Sequence, residues 1–189
     1  LSAMVQARIG LGQYTGIANH FGMWMVHSPG AQTSAVMGNI SQRNVFADIL
    51  ALGVVSACWL HARGYLRLHW VVPMVAFIAL IQAWAGSRLV LLYAAGLILL
   101  AGWWWLRARE DEMVRRFCRA AWIAGALMLA MQWVGMWIAK ELWENFGIGA
   151  ALDSGVKRLL SEDSMGSNNR RLSEWSKALA AFSQHPIFG

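Results

Sequence analysis

Ala83-Trp84-Ala85-Gly86-Ser87-Arg88-Leu89-Val90-Leu91-Leu92-Tyr93 decides the fold of this chain, because a Gly-Ser break carrying one arginine stands between two long apolar runs. Residues 70–84 and 89–106 on either side are nearly free of charge. With 45–60 and 120–139 they form a set of four expected membrane spans, and Arg88 is expected at the tip of the hairpin between the second and third. About twenty apolar residues cross a hydrocarbon core, so the shorter runs must borrow flanking residues. An arginine at a bilayer boundary has two readings. It is an anchor that snorkels its charge to the surface, or a functional group placed there at a cost.

Composition supports a membrane protein. The chain is 58% hydrophobic and 14% charged with 12 Trp, and its mean hydropathy is +0.42; a soluble domain of this length is built differently. A net charge of +6 ordinarily raises nucleic acid as a partner. Here the basic residues are scattered among apolar runs, so membrane topology explains them and no nucleic-acid partner is expected. Cys58 and Cys118 sit on differently placed segments and suggest no disulfide framework. The chain starts at Leu1 rather than Met, which fits a fragment of something longer.

In chain order, residues 1–26 mix apolar residues with Gln6, Arg8, Gln13, Asn19 and His20, and Tyr14 and Trp24 suit an interfacial segment after the end of a truncated span. Ser28-Pro29-Gly30 is a turn. A polar loop from 32 to 44 enters the first clear span, in which Asp48 lies one turn inside; a structural role at the positive end of the helix is as good a reading as a functional one. The third span ends in Trp103-Trp104-Trp105, an aromatic belt, before a basic loop. Loops 61–69 and 107–119 hold Arg63, Arg67, Arg107, Arg109, Arg115, Arg116 and Arg119 against the lone Arg88 of the other hairpin, which makes those two loops cytoplasmic. The loop at Gln42-Arg43-Asn44, the tip at Arg88 and the whole tail from Lys140 then share the outer face.

That tail is water-facing in composition. Leu172, Trp175, Leu179 and Phe182 recur at helical spacing, which predicts an amphipathic helix over about 170–184, capped by Asn168-Asn169 and ended before Pro186. Docked on the membrane by its apolar stripe, it would bring Arg170 and Arg171 to the headgroup level. Arg43, Arg88, Arg170 and Arg171, with Gln42 and Asn44, thus form a set of donors where lipid phosphates lie. Guanidinium forks bind phosphate oxygens in pairs and hold their charge at any working pH. A lipid-borne diphosphate fits such a set, and stabilising it as it departs would assist a glycosyl transfer; ordinary interfacial anchoring remains the alternative for each arginine. His20, His27, His61, His69 and His185 have no metal-ligand spacing, and neither a phosphate loop nor a nucleophile elbow is present, so no metal and no cofactor are expected.

Gly38-Asn39-Ile40-Ser41-Gln42-Arg43-Asn44-Val45-Phe46-Ala47, then Ser87-Arg88, then Arg171-Leu172-Ser173-Glu174-Trp175 with His185-Pro186-Ile187-Phe188-Gly189, resembles the bacterial O-antigen ligase and protein O-oligosaccharyltransferase superfamily. The G-N-x-x-Q-x-N-x-x-A pattern looks most like the branch that glycosylates pilins. The resemblance implies an all-α, polytopic helical membrane enzyme of the GT-C-like glycosyltransferase kind, in the bacterial inner membrane with its active site on the periplasmic side. Its expected organisation is a periplasmic or interfacial segment at 1–44, four transmembrane helices within 45–139, and the start of a large periplasmic loop at 140–189.

The implied reaction moves an oligosaccharide from undecaprenyl diphosphate to a Ser or Thr hydroxyl of a protein such as pilin, by inverting displacement without a metal. The acceptor is lipid A core in the ligase branch and a growing glycan in related polymerases. By the same resemblance Arg88 and Arg171 face the donor diphosphate as catalytic residues and Gln42 and Asn44 match the loop motif near the site; the arginine set on the outer face adds Arg43 and Arg170 as substrate-binding residues. Val45 stands where a His commonly follows the Asn of the motif, and the His that activates the acceptor is expected beyond Gly189. A lipid-linked glycan transporter is the rival class, and a non-catalytic assembly subunit a third. Transporters more often carry internal repeats and deep charges, whereas this sequence has no repeat and only Asp48 within a span.

Overall fold

The computed structural model describes residues 1–21, 36–40, 42–149 and 175–177. The chain divides into two compact units, Leu1–Val156 and Lys157–Gly189. Of the second, residues 175–177 form a piece of helix with exposed side chains. The rest of the amphipathic helix expected over 170–184, including Arg170 and Arg171, lies outside the described residues.

The first unit is all-helical among the described residues: α1 (Ser2–Tyr14), α2 (Arg43–Ala62), α3 (Leu68–Ala85), α4 (Leu89–Ala108) and α5 (Glu112–Phe146), with short 3-10 turns at Ile17–His20 and Gly38–Ile40. Helices α2 to α5 are each long and apolar enough to cross a membrane, so the chain is a polytopic helical membrane protein. Its surface agrees: Leu52, Leu92, Leu99, Trp133 and Trp137 are among the exposed large apolar side chains, as lipid-facing positions require.

Helix ends follow local chemistry. Gly86, at φ 62°, ends α3 in the left-handed conformation and lets the chain reverse within Gly86-Ser87-Arg88. Asp111 caps α5 by accepting a hydrogen bond from the Met113 N–H at 2.8 Å. At 35 residues, α5 is about 52 Å long, well beyond a hydrocarbon core of about 30 Å. It runs past the expected span in both directions, because polar i,i+4 pairs such as Lys140–Glu144 and Glu141–Asn145 carry the helix on into water.

Helix α5 packs on α2, α3 and α4 through a stripe of small residues that includes Ala121, Ala124, Gly125, Gly135 and Ala139, the packing that lets helices approach where no hydrophobic drive separates protein from lipid. Residues at the start of the chain, read as the end of a truncated span running into an interfacial segment, form α1, which packs on α2 and α3 with Ala3, Ala7 and Gly10 buried. Contact with α2 is close enough that a Cβ on Gly53 would lie 2.2 Å from the Ala3 Cβ.

The bundle has two chemically distinct ends. At one, the end of α2, the end of α4 and the start of α5 meet around Phe117, whose ring lies 6.3 Å from Trp59 and 5.5 Å from Trp104. Arg63 stacks over Trp59 and Arg107 over Trp103, aromatic anchors paired with cations at the level where the belt is expected. At the other end α2 begins, α3 turns into α4, and α5 leaves the bundle. There Tyr14 stacks on Trp84 at 4.1 Å, the Trp84 indole donates to the Gly135 carbonyl at 2.8 Å, and the Tyr14 hydroxyl donates to the Ala139 carbonyl at 3.0 Å.

Candidate functional site

The second end gathers the residues around the Gly-Asn loop. Gln13, on the last turn of α1, holds that loop with its whole amide: Oε1 accepts from the N–H groups of Met37 (3.1 Å) and Gly38 (2.8 Å), and Nε2 donates to the Gly38 carbonyl at 2.8 Å. Two turns earlier on the same helix, Gln6 Oε1 accepts from the Asn39 N–H at 3.1 Å. Gly38 is buried at φ 58°, and a Cβ there would meet Gln6 Oε1 and the Phe46 ring at 2.6 Å. Only glycine fits that backbone and that space.

The loop then enters α2. Gln42 is the extended N-cap residue, exposed and without a side-chain cap bond. Arg43 is the first helical residue and half-buried; its Nη1 is shielded from solvent and has no hydrogen-bond partner among the described residues. Asn44 Oδ1 accepts from the Ser87 hydroxyl at 3.0 Å, which fastens the loop to the α3–α4 turn. Ser87 is 2% exposed, and its Oγ also accepts from the Leu89 N–H at 3.3 Å. Arg88 follows as the half-buried N-cap residue of α4. One turn deeper, the Tyr93 hydroxyl donates to Asp48 Oδ1. Asp48 is the sixth residue of α2, beyond the first turn where the macrodipole acts, and its partner is a side chain of α4 rather than the dipole of its own helix.

The N-termini of α2 and α4 therefore lie at the same end of the bundle as Arg43 and Arg88, although at α4 the Leu89 N–H is taken by Ser87 Oγ and those of Val90 and Leu91 by the Ser87 and Arg88 carbonyls. Helix N-termini favour anions. A guanidinium N–H that is shielded from solvent and has no acceptor among the described residues favours one more strongly. The arrangement suits a phosphate or diphosphate group. Of the residues singled out in the sequence, Gln42, Arg43, Asn44 and Arg88 come together at this end, and Arg170 and Arg171 lie outside the described residues. Gln6, Gln13 and Tyr93 carry roles that the sequence reading leaves unassigned. The signal for the glutamines is present, because their spacing of seven sets two amides on one face of a short helix otherwise rich in small residues. Among the described residues no group of three or more His, Cys, Asp and Glu side chains could hold a metal ion.

Comparison with protein families gives two matches. The model of a family described as O-antigen ligase matches residues 73–189, which takes in the α3–α4 turn with Arg88. That of a family described as protein glycosylation ligase matches residues 36–61, the loop held by Gln13 and most of α2. No curated protein and no solved structure matches this chain.

Proposed function

The chain belongs to the O-antigen ligase family, and on that footing we propose that it transfers an oligosaccharide from undecaprenyl diphosphate to a Ser or Thr hydroxyl of a periplasmic protein. The observation that carries the reading is the pair Arg43 and Arg88 at the starts of α2 and α4, the first with a shielded Nη1 that has no hydrogen-bond partner among the described residues. In the proposed reaction the acceptor hydroxyl gives its proton to a general base, the acceptor-activating His expected beyond Gly189, as its oxygen bonds to the anomeric carbon on the face opposite the diphosphate. The bond from that carbon to the diphosphate oxygen breaks, and the electron pair leaves on the diphosphate. Arg88 and Arg171 would stabilise that growing charge, and preorganised donors of this kind contribute several kcal/mol. Arg43, Arg170, Gln42 and Asn44 would hold the donor; with its Oδ1 engaged by Ser87, Asn44 offers its Nδ2 donors.

Sidedness supports a periplasmic site in the inner membrane. Arg63, Arg67, Arg107, Arg109, Arg115, Arg116 and Arg119 lie at or near the opposite end, which the positive-inside tendency assigns to the cytoplasm. A protein acceptor is favoured by the match over 36–61 to the protein glycosylation ligase model. The longer match over 73–189 favours a second reading, an O-antigen ligase acting on lipid A core.

The test uses the full chain in cells that make a lipid-diphosphate glycan, reading intact masses of periplasmic proteins and the lipid A core for wild type and Arg88→Ala. A glycan-sized increase on protein that disappears in Arg88→Ala while the variant still accumulates is the expected result. Increase on lipid A core instead moves the acceptor to the second reading. Unchanged transfer by Arg88→Ala would overturn the role of Arg88.

A further inference from the structure

Asp48 is the only acidic residue in α2, α3 and α4. An ionisable side chain inside a membrane helix is expensive and asks for a purpose and a partner. Its partner is the Tyr93 hydroxyl, across the interface between α2 and α4. Asn44 and Asp48 are four residues apart and share one face of α2. Asn44 receives the Ser87 hydroxyl at 3.0 Å, so two polar rungs one helical turn apart tie α2 to the start of α4. Arg88 lies in sequence between the α4-side partners, Ser87 and Tyr93, at the N-cap of α4.

The two rungs differ in what they hold. Ser87 belongs to the turn before α4, so a bond to it does not itself fix the rotation of the helix face against α2. Tyr93 belongs to the helix, and its bond to Asp48 sets which face of α4 meets α2. Apolar packing by itself tolerates small sliding between helices. A bond to a carboxylate does not, because breaking it leaves a polar group without a partner in a medium that cannot solvate it.

We infer that the Asp48–Tyr93 pair is a positioning device, which sets where Arg88 stands relative to Gln42, Arg43 and Asn44 so that both arginines reach one diphosphate. The inference rests on the donor-site reading given above and adds two residues that act through Arg88 without touching substrate.

The test measures transfer kinetics of the reconstituted full chain with a lipid-diphosphate glycan donor, for Tyr93→Phe, Arg88→Lys and the double variant. A displacement of about 1 Å in a charge-stabilising group lowers a rate by up to about 100-fold; for loss of one rung, Tyr93→Phe is expected to lower kcat about tenfold, with a smaller change in donor KM. Because the effect passes through Arg88, adding Tyr93→Phe to Arg88→Lys should lower kcat by less than about twofold more, a non-additivity that general loosening of the bundle would not produce. Asp48→Asn keeps an acceptor oxygen, so it should lose less than Tyr93→Phe and be equally non-additive. It carries the test if Tyr93→Phe fails to accumulate. Losses that multiply in the double variant would overturn the inference, as would wild-type kcat in Tyr93→Phe beside an impaired Arg88→Lys. Wild-type kcat in both Arg88→Lys and Arg88→Ala would instead remove the donor-site reading, and this inference with it.

Discussion

Replacing Gly38 by alanine tests whether the loop at the head of α2 is as tightly determined as its geometry implies. Two penalties act together. At φ 58° an L-residue incurs about 1–2 kcal/mol of backbone strain. The new Cβ would also lie 2.6 Å from Gln6 Oε1 and from the ring of Phe46, and Phe46 is fully buried and has nowhere to go; overpacking of that kind costs about 1–3 kcal/mol. The sum is about 2–5 kcal/mol, or roughly 5–15 °C in Tm for a chain of this size. Two other glycines separate the contributions. Gly16, at φ 78° with open space around its Cβ position, carries strain alone, so Gly16→Ala should cost about 1–2 kcal/mol. Gly96, inside α4 with nothing within 4 Å, should be stabilised by about 0.5–1 kcal/mol as alanine. Thermal unfolding in detergent, followed by circular dichroism, reads all three. If Gly38→Ala were no worse than Gly16→Ala, the close approach of Gln6 and Phe46 to this loop would be refuted.

Further predictions concern the neighbours of that loop. Gln13→Leu removes three hydrogen bonds to Met37 and Gly38; stranding those backbone groups should destabilise the protein by about 2–4 kcal/mol, measured as a loss in Tm, and lower transfer by misplacing Gln42 to Asn44. Equal stability and activity in Gln13→Leu would show that the clamp does not hold the loop. Burial pushes the Tyr14 phenol above its ordinary value. The folded state then holds this proton more tightly than the unfolded chain, so the associated stability is full below about pH 10 and falls as pH rises through that value and beyond. An alkaline unfolding series should show a decline that Tyr14→Phe flattens, and an identical slope in the variant would refute it.

Much of the candidate site is legible in the sequence for reasons that lie in single residues. Gly86-Ser87-Arg88 between apolar runs announces a hairpin tip, since a left-handed glycine ends one helix and the next begins at once. The arginine asymmetry between loops announces which tips share a face. Asp48 is visible as an anomaly, yet its partner is not, because Tyr93 lies 45 residues away and nothing local in either segment points to the other. The clamp by Gln13 is hidden for the same reason. Its seven-residue spacing from Gln6 marks a polar face on α1, but what that face holds depends on how α1 inserts into the bundle.

By itself the sequence determined the class, an all-helical chain with four helices long and apolar enough to cross a membrane. Apolar length and the need to satisfy every backbone group in lipid leave a helix as the only form for runs such as 89–106. Tertiary structure alone decided that α1 packs against α2 and α3. Its small residues read as weakly apolar in isolation and become an interface only when Gly53 of α2 offers a surface that a larger side chain would close. It also decided that Asn44 meets Ser87 and that Asp48 meets Tyr93. Such pairings are set by the rotation of one helix against another, which depends on the packing of all the side chains at once and is written in no single stretch of the chain.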